Sequence, residues 1–219
     1  MENIFLSASI PLPERNPKYY ETADIIAIRD AIIALASITL THHKIIWGGH
    51  PSITPLIYYV IERMLINKLK REDWDLPLNE EEKKLIESQL KGEIQQHVLL
   101  YQSLYFKDGF PPENEMFQNV ILTDNLGDIP SSIQHLRQRM FAENKFAAAV
   151  FIGGMEGIVD EYNMFKALHP KAILLPIGST GAATKIVCEE LLPKELKNER
   201  LLNDYGYMSL FQKLLIDKI

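Results

Sequence analysis

The sequence predicts a three-layer α/β fold with a mostly parallel sheet, and two observations carry that prediction. Short apolar runs alternate with stretches of helical periodicity along the chain, the pattern of sequential strand–helix units. Glycine pairs, Gly48-Gly49 and Gly153-Gly154, stand where two of those runs give way to helical pattern. In an open α/β sheet, ligands bind beyond the carboxyl ends of the strands, and both turns would lie on that edge. The 219 residues suit one domain, 1–219, with a full core.

The first strand is expected at residues 4–10, closed by Pro11 and Pro13, which cannot continue a ladder. Ser7 and Ser9 at its end either admit a ligand and offer hydrogen bonds or simply fill a tight strand end. Thr22 is the expected N-cap of a helix on which Ile25, Ile28, Ile32, Leu35 and Ala36 recur at helical spacing. The second strand, 44–47, runs into Gly48-Gly49-His50-Pro51 and then a helix over 56–69. His50 is either a ligand contact or an exposed loop residue. Residues 70–92 carry mixed charge blocks around a helix at 79–89, which reads as a solvated insertion packed down by Trp74. Strands follow at 97–101 and 117–124. Ser131 or Ser132 should cap a helix over 133–143, whose Arg137 and Arg139 are two apart and face different ways.

Residues 146–162 form the most informative stretch. An uncharged run ends in Gly153-Gly154, Met155, Glu156 and Gly157 follow, and a helical pattern continues through Glu161. Unpaired N–H groups and the dipole at such a helix start favour an anion such as phosphate. The sixth strand, 172–176, leads to a third small-residue turn containing Gly178, Ser179 and Thr180. Residues 184–192 are expected to be helical, and 205–217 form an amphipathic C-terminal helix. Tyr205 and Tyr207 on it either stack on a base or, the more usual role, pack.

A formal charge of −6 disfavours a general nucleic-acid surface. One cysteine, Cys188, excludes an internal disulfide and a zinc ribbon, and its apolar neighbours mark a buried, inert thiol. The most hydrophobic segment, 25–40, holds Arg29 and Asp30 and is too short to span a bilayer. With an acidic Met1-Glu2-Asn3 start, a cytoplasmic protein without a membrane association is expected. No metal site and no cofactor are expected. Neither glycine turn is a Walker-type loop or a clean G-x-G-x-x-G, so ordinary ATPase and dinucleotide dehydrogenase readings lack support.

Gly153-Gly154-Met155-Glu156-Gly157-Ile158-Val159-Asp160-Glu161 resembles, with one residue inserted, the P-G-G-x-G-T-x-x-E motif of Lonely-guy phosphoribohydrolases. His135-Leu136-Arg137-Gln138-Arg139-Met140 stands where that family carries an arginine motif, and spacing places Arg137 on the family arginine. Gly48-Gly49-His50-Pro51 matches the first glycine turn of the SLOG superfamily, which unites Lonely-guy enzymes, Smf/DprA and the N-terminal region of TRPM channels. With Ser7-Ala8-Ser9-Ile10-Pro11, the chain is most similar to the prokaryotic defence-associated SLOG branch. Ile152 replaces the motif proline and Ile158 the threonine. If the helix start is unchanged, the inserted residue turns Glu161 by ~100°; if the loop absorbs it, Glu161 keeps its orientation.

The resemblance implies a Rossmann-like sheet, a pocket for a nucleotide-derived ligand and a homo-oligomer, often a dimer. On that basis the ligand-binding residues are Ser7, Ser9, Gly48, Gly49, His50, Arg137, Gly153, Gly154, Met155, Glu156, Gly157, Glu161, Gly178, Ser179 and Thr180. Two active readings are open. One is a sensor of cyclic ADP-ribose-like molecules or nucleoside phosphates in antiviral defence, working through a partner effector protein. In it, the glycine N–H groups cradle phosphate, Arg137 pairs with it, and Glu156 or Glu161 binds ribose hydroxyls. The other is a hydrolase that releases base from a nucleoside monophosphate, with Glu161 and Arg137 catalytic. A structural subunit is the third reading, and the many small residues of the turns weigh against it.

Overall fold

The computed structural model describes residues 1–71 and 80–219. A six-stranded sheet, in the order β4-β3-β2-β1-β5-β6, forms the middle layer, and every neighbouring pair is parallel. Its strands are β1 Asn3–Ser9, β2 Lys44–Gly48, β3 Val98–Ser103, β4 Val120–Thr123, β5 Ala148–Gly153 and β6 Ile173–Ile177. The helices are α1 Pro17–Tyr20, α2 Ile25–Thr39, α3 Thr54–Arg71, α4 Glu80–Gln95, α5 Ile129–Glu143, α6 Glu156–Leu168, α7 Ala182–Ile186, α8 Glu199–Asn203 and α9 Tyr207–Leu214. This is the three-layer, Rossmann-like α/β fold that the alternation of strands and helices predicts.

All of β5 and the middles of β1 and β2 are buried because both faces of a central parallel strand are covered by helices. On one face α2 packs against both α3 and α9; on the other, α5 packs against α6. The second face is organised by aromatic rings. Phe5 of β1 stacks on Phe165 of α6 at 5.4 Å and meets Phe141 of α5 edge-on at 4.8 Å. Phe141 and Phe165 close the triangle at 5.6 Å. Such ring pairs add directional preference to area burial, so they fix how the two helices sit over β1.

Two helix caps differ from the sequence expectation. Asp24, not Thr22, caps α2, its carboxylate accepting from the Ala27 N–H at 2.9 Å. The Thr22 hydroxyl instead donates back to the Lys18 and Tyr19 carbonyls. Asp128, not Ser131 or Ser132, caps α5 and accepts from the Ser131 N–H at 2.8 Å. Pro130 sits in the first turn of α5, where a missing N–H costs nothing.

The helix expected at 79–89 is α4, which extends to Gln95. The C-terminal turn of α4 is anchored rather than solvated. Gln95 is fully buried, donates to the Met116 carbonyl at 3.0 Å and accepts from the Gln118 N–H at 3.3 Å. The expected packing of Trp74 falls outside the described residues. α7 runs into a widened helical turn at Val187–Leu191, matching the expected 184–192 helix. Cys188 is buried there, and desolvation pushes its thiol up to about 11, which leaves it unreactive. Among the described residues no helix is long and apolar enough to cross a membrane.

Candidate functional site

The chain enters the sheet at β1, moves outward through β2, β3 and β4, then returns through α5 to β5 on the other side of β1. The strand order therefore reverses at the β1/β5 boundary, where diverging connections open a crevice. Ser7 and Ser9 end β1 opposite Phe151 and Gly153 of β5. Gly153 and Gly154 adopt φ of +61° and +74°, the left-handed region that favours glycine. A Cβ on Gly154 would come within 2.1 Å of Ile158 Cγ1, so the turn admits no side chain as it stands.

Three polar side chains converge in this crevice. Arg137 on α5 donates from Nε to Glu161 Oε1 at 2.9 Å. Ser7 on β1 donates from Oγ to the other carboxylate oxygen, Glu161 Oε2. Arg137 Nη2 also donates to the Gly157 carbonyl at 3.1 Å, and Nη1 lies 3.6 Å from Asp160 Oδ2. The pair is largely enclosed, with Arg137 and Glu161 side chains 11% and 20% exposed. Gly157 permits the approach, since a Cβ there would sit 2.9 Å from Arg137 Nη2.

The polar triangle sits directly over the aromatic one. Phe141 and Phe165 each lie four residues beyond Arg137 and Glu161 on their helices, and Phe5 lies two before Ser7 on its strand. Residues i and i+4 share a helix face, and i and i+2 share a strand face. The same packing that closes the core at Phe5, Phe141 and Phe165 thus sets Ser7, Arg137 and Glu161 in contact at the crevice. Of the two glutamates, Glu161 rather than Glu156 meets Arg137.

Glu156 is the first residue of α6, and its carboxylate pairs at 3.5 Å with Arg15, from the connection after β1. Met155 is the N-cap of α6 and provides no side-chain cap bond. The glycine N–H groups are largely committed to the fold. Gly153 donates to Thr180 Oγ1 at 3.0 Å, Gly154 to the Ser9 carbonyl at 2.8 Å, and Gly49 to the Tyr101 carbonyl at 2.8 Å. Gly153 and Gly154 therefore shape the crevice, and none of the three offers its own N–H group to an anion. The donors left for one are at the uncapped first turn of α6, helped by its dipole.

The third turn supports the site from behind. Thr180 is fully buried, accepting from Gly153 and donating to the Ile177 carbonyl at 2.6 Å. Ser179 donates to the Asp204 carbonyl at 3.1 Å and meets the Tyr207 hydroxyl at 3.2 Å. Gly178 lies against Leu202 and Cys188. Tyr207 is buried and stacks on Phe211, so it packs, whereas Tyr205 is exposed. Burial pushes the Tyr207 hydroxyl up to about 12.

Gly48 and Gly49 lie one strand away, across β1. Gly48 faces Leu136 of α5, and the Gln102 amide lies against Gly49. His50 is half-buried and accepts from the Ser52 N–H at Nδ1, 3.2 Å away, which places its ring proton on Nε2. Desolvation, and then the positive charge of Arg15, lower its pKa to about 4, so it is a neutral donor at pH 7. Arg15 and Gln102 stand at this edge without a sequence motif to announce them. Gln102 Oε1 is buried and has no hydrogen-bond partner among the described residues.

No curated protein and no solved structure matched the chain. The profile of the SLOG cluster3 family matches residues 18–72 and 83–215, which include Gly48-Gly49, Arg137, the Gly153–Glu161 stretch and the C-terminal helices. Ser7, Ser9 and Arg15 precede the matched residues. Such membership points to a nucleotide-related function, and the crevice at the strand-order reversal is where the fold would carry it. The chain belongs to the SLOG cluster3 family.

Proposed function

We propose that the protein binds a nucleotide-derived ligand, cyclic ADP-ribose-like or a nucleoside phosphate, in the β1/β5 crevice. In this reading it serves as a cytoplasmic sensor in bacterial antiviral defence, working as a homo-oligomer, a dimer, and passing the signal to an effector protein. The convergence of Ser7, Arg137 and Glu161 beside the Gly153-Gly154 turn is the observation that carries the proposal. Glu161 is an acceptor held in place by Arg137, and a ribose hydroxyl can replace or join the Ser7 hydroxyl on Oε2. Phosphate then falls toward the start of α6, where N–H groups and the helix dipole favour negative charge. Binding is favoured over turnover because both oxygens of Glu161 are already engaged.

A second reading keeps one specific support. Among the described residues Oε2 of Glu161 is held only by a neutral hydroxyl, so a ligand that moves Ser7 aside would expose a carboxylate. Positioned below an anomeric carbon, that carboxylate would stabilise an oxocarbenium-like state as the C–N bond breaks, water adds to the anomeric carbon and the water's proton passes to the leaving base.

The two readings separate in one experiment. Purified protein is incubated with nucleoside monophosphates and with cyclic ADP-ribose isomers, and melting temperature and base release are followed together. The sensor reading predicts a raised melting temperature with intact ligand recovered. Base release that disappears in Glu161→Gln would establish the hydrolase instead. Absence of any shift or turnover would reject both.

A further inference from the structure

Arg137 was the expected phosphate partner, and in the structure its guanidinium is already engaged by groups of the protein. All three nitrogens face protein acceptors: Glu161 Oε1, the Gly157 carbonyl and Asp160 Oδ2. Turning it to a phosphate would leave Glu161 as an enclosed carboxylate with, among the described residues, only Ser7 for a partner, an unfavourable exchange. Arg137 is thus suited to positioning Glu161, and a second cation would serve a phosphate better.

We infer that Arg15 is that cation: it binds the phosphate of the nucleotide ligand by exchanging Glu156 for it. The inference rests on the proposed nucleotide-binding role and adds to it a binding residue and a contact chemistry. Arg15 emerges from the connection that follows β1, the strand between β2 and β5. Its guanidinium lies 3.5 Å from Glu156 at the start of α6, and its charge is felt by His50 in the turn after β2. It therefore stands at the start of α6, beside the β1/β5 crevice.

Three features suit it to the role. Arg15 and Glu156 side chains are 59% and 58% exposed, and ion pairs that exposed are weak, so the pair yields readily to a better partner. A phosphate offers that partner, since arginine and phosphate make parallel charge-assisted hydrogen bonds. Finally, the segment is restrained. Pro11 and Pro13 fix two backbone angles, Arg15 N–H donates to the Leu12 carbonyl at 3.2 Å, and Asn16 caps α1 immediately afterwards. A restrained loop loses less freedom when it closes on a ligand.

Calorimetric titration of the full chain with AMP, cyclic ADP-ribose and adenosine tests this. Arg15→Ala is expected to weaken AMP and cyclic ADP-ribose binding tenfold or more while leaving adenosine binding unchanged. Arg15→Lys should recover part of the loss, and Glu156→Gln should tighten AMP binding by removing the competing carboxylate. The melting temperature of ligand-free Arg15→Ala should match that of the unaltered protein, which separates lost contact from lost fold. Equal AMP affinity in Arg15→Ala, or an equal loss for adenosine, would overturn the role of Arg15 and leave nucleotide binding standing. If the unaltered protein binds none of the three, both readings fall.

Discussion

At the scale of single residues, the site rests on one enclosed ion pair. Arg137 and Glu161 are buried enough that removing one partner strands the other. Breaking such a pair destabilises by roughly 3 kcal/mol, an upper figure here because Glu161 keeps the Ser7 hydroxyl and some solvent. Arg137→Ala should therefore lower stability by about 2–3 kcal/mol in urea unfolding. In a double-mutant cycle with Glu161→Gln, the coupling should be on the order of 1–3 kcal/mol. A cycle with no coupling would mean that the pair is not formed in solution. Arg137 and Glu161 could be singled out from the sequence, because motif order and spacing marked them. Their contact could not, because it depends on how α5 and α6 pack on β1, and that packing is set by Phe5, Phe141 and Phe165. The contacts of Arg137 were not legible for the same reason: Glu161, Gly157 and Asp160 all come from α6.

At the scale of elements, the strands were legible because burial on both faces leaves continuous apolar runs with little competition from other patterns. The caps were less so. Thr22 and Asp24, or Asp128 and Ser131, are all capable residues within one turn, and the choice is made by what else each can reach. Asp24→Ala should cost about 1 kcal/mol and Thr22→Ala distinctly less, since only Asp24 accepts from a first-turn N–H of α2. Equal costs would contradict the assignment of the cap. The turn after β5 is more demanding. Gly154→Ala places a methyl group against Ile158 at a left-handed backbone position and should cost on the order of 1–3 kcal/mol. It should weaken ligand binding as well, because the start of α6 shifts with Ile158.

At the scale of the whole molecule, titration sets a window of stability. His50, His43 and His169 are held neutral below their usual range, chiefly by desolvation. Each takes up its proton more readily when unfolded, so stability is full above about pH 6.5 and falls on acidification toward pH 4. Asp204, Glu143 and Asp128 have lowered pKa values from hydrogen bonds, and they add losses of the same sign at lower pH. On the alkaline side, burial raises Cys188 to about 11 and Tyr101 and Tyr207 to about 12. Those groups deprotonate first in the unfolded chain, so stability falls again as pH rises past about 9. Melting temperature should be highest between about pH 6.5 and 9. His50→Gln should flatten the acid limb between about pH 6.5 and 4, and an unchanged limb would remove His50 as its source.

The most direct test of the account is a calorimetric titration of the unaltered protein with AMP and with cyclic ADP-ribose, repeated on Glu161→Gln. The account predicts saturable binding of at least one of the two, with ligand recovered intact, and a loss of tenfold or more in Glu161→Gln. Absence of binding to both, or binding that Glu161→Gln leaves untouched, would contradict a nucleotide site built around Ser7, Arg137 and Glu161.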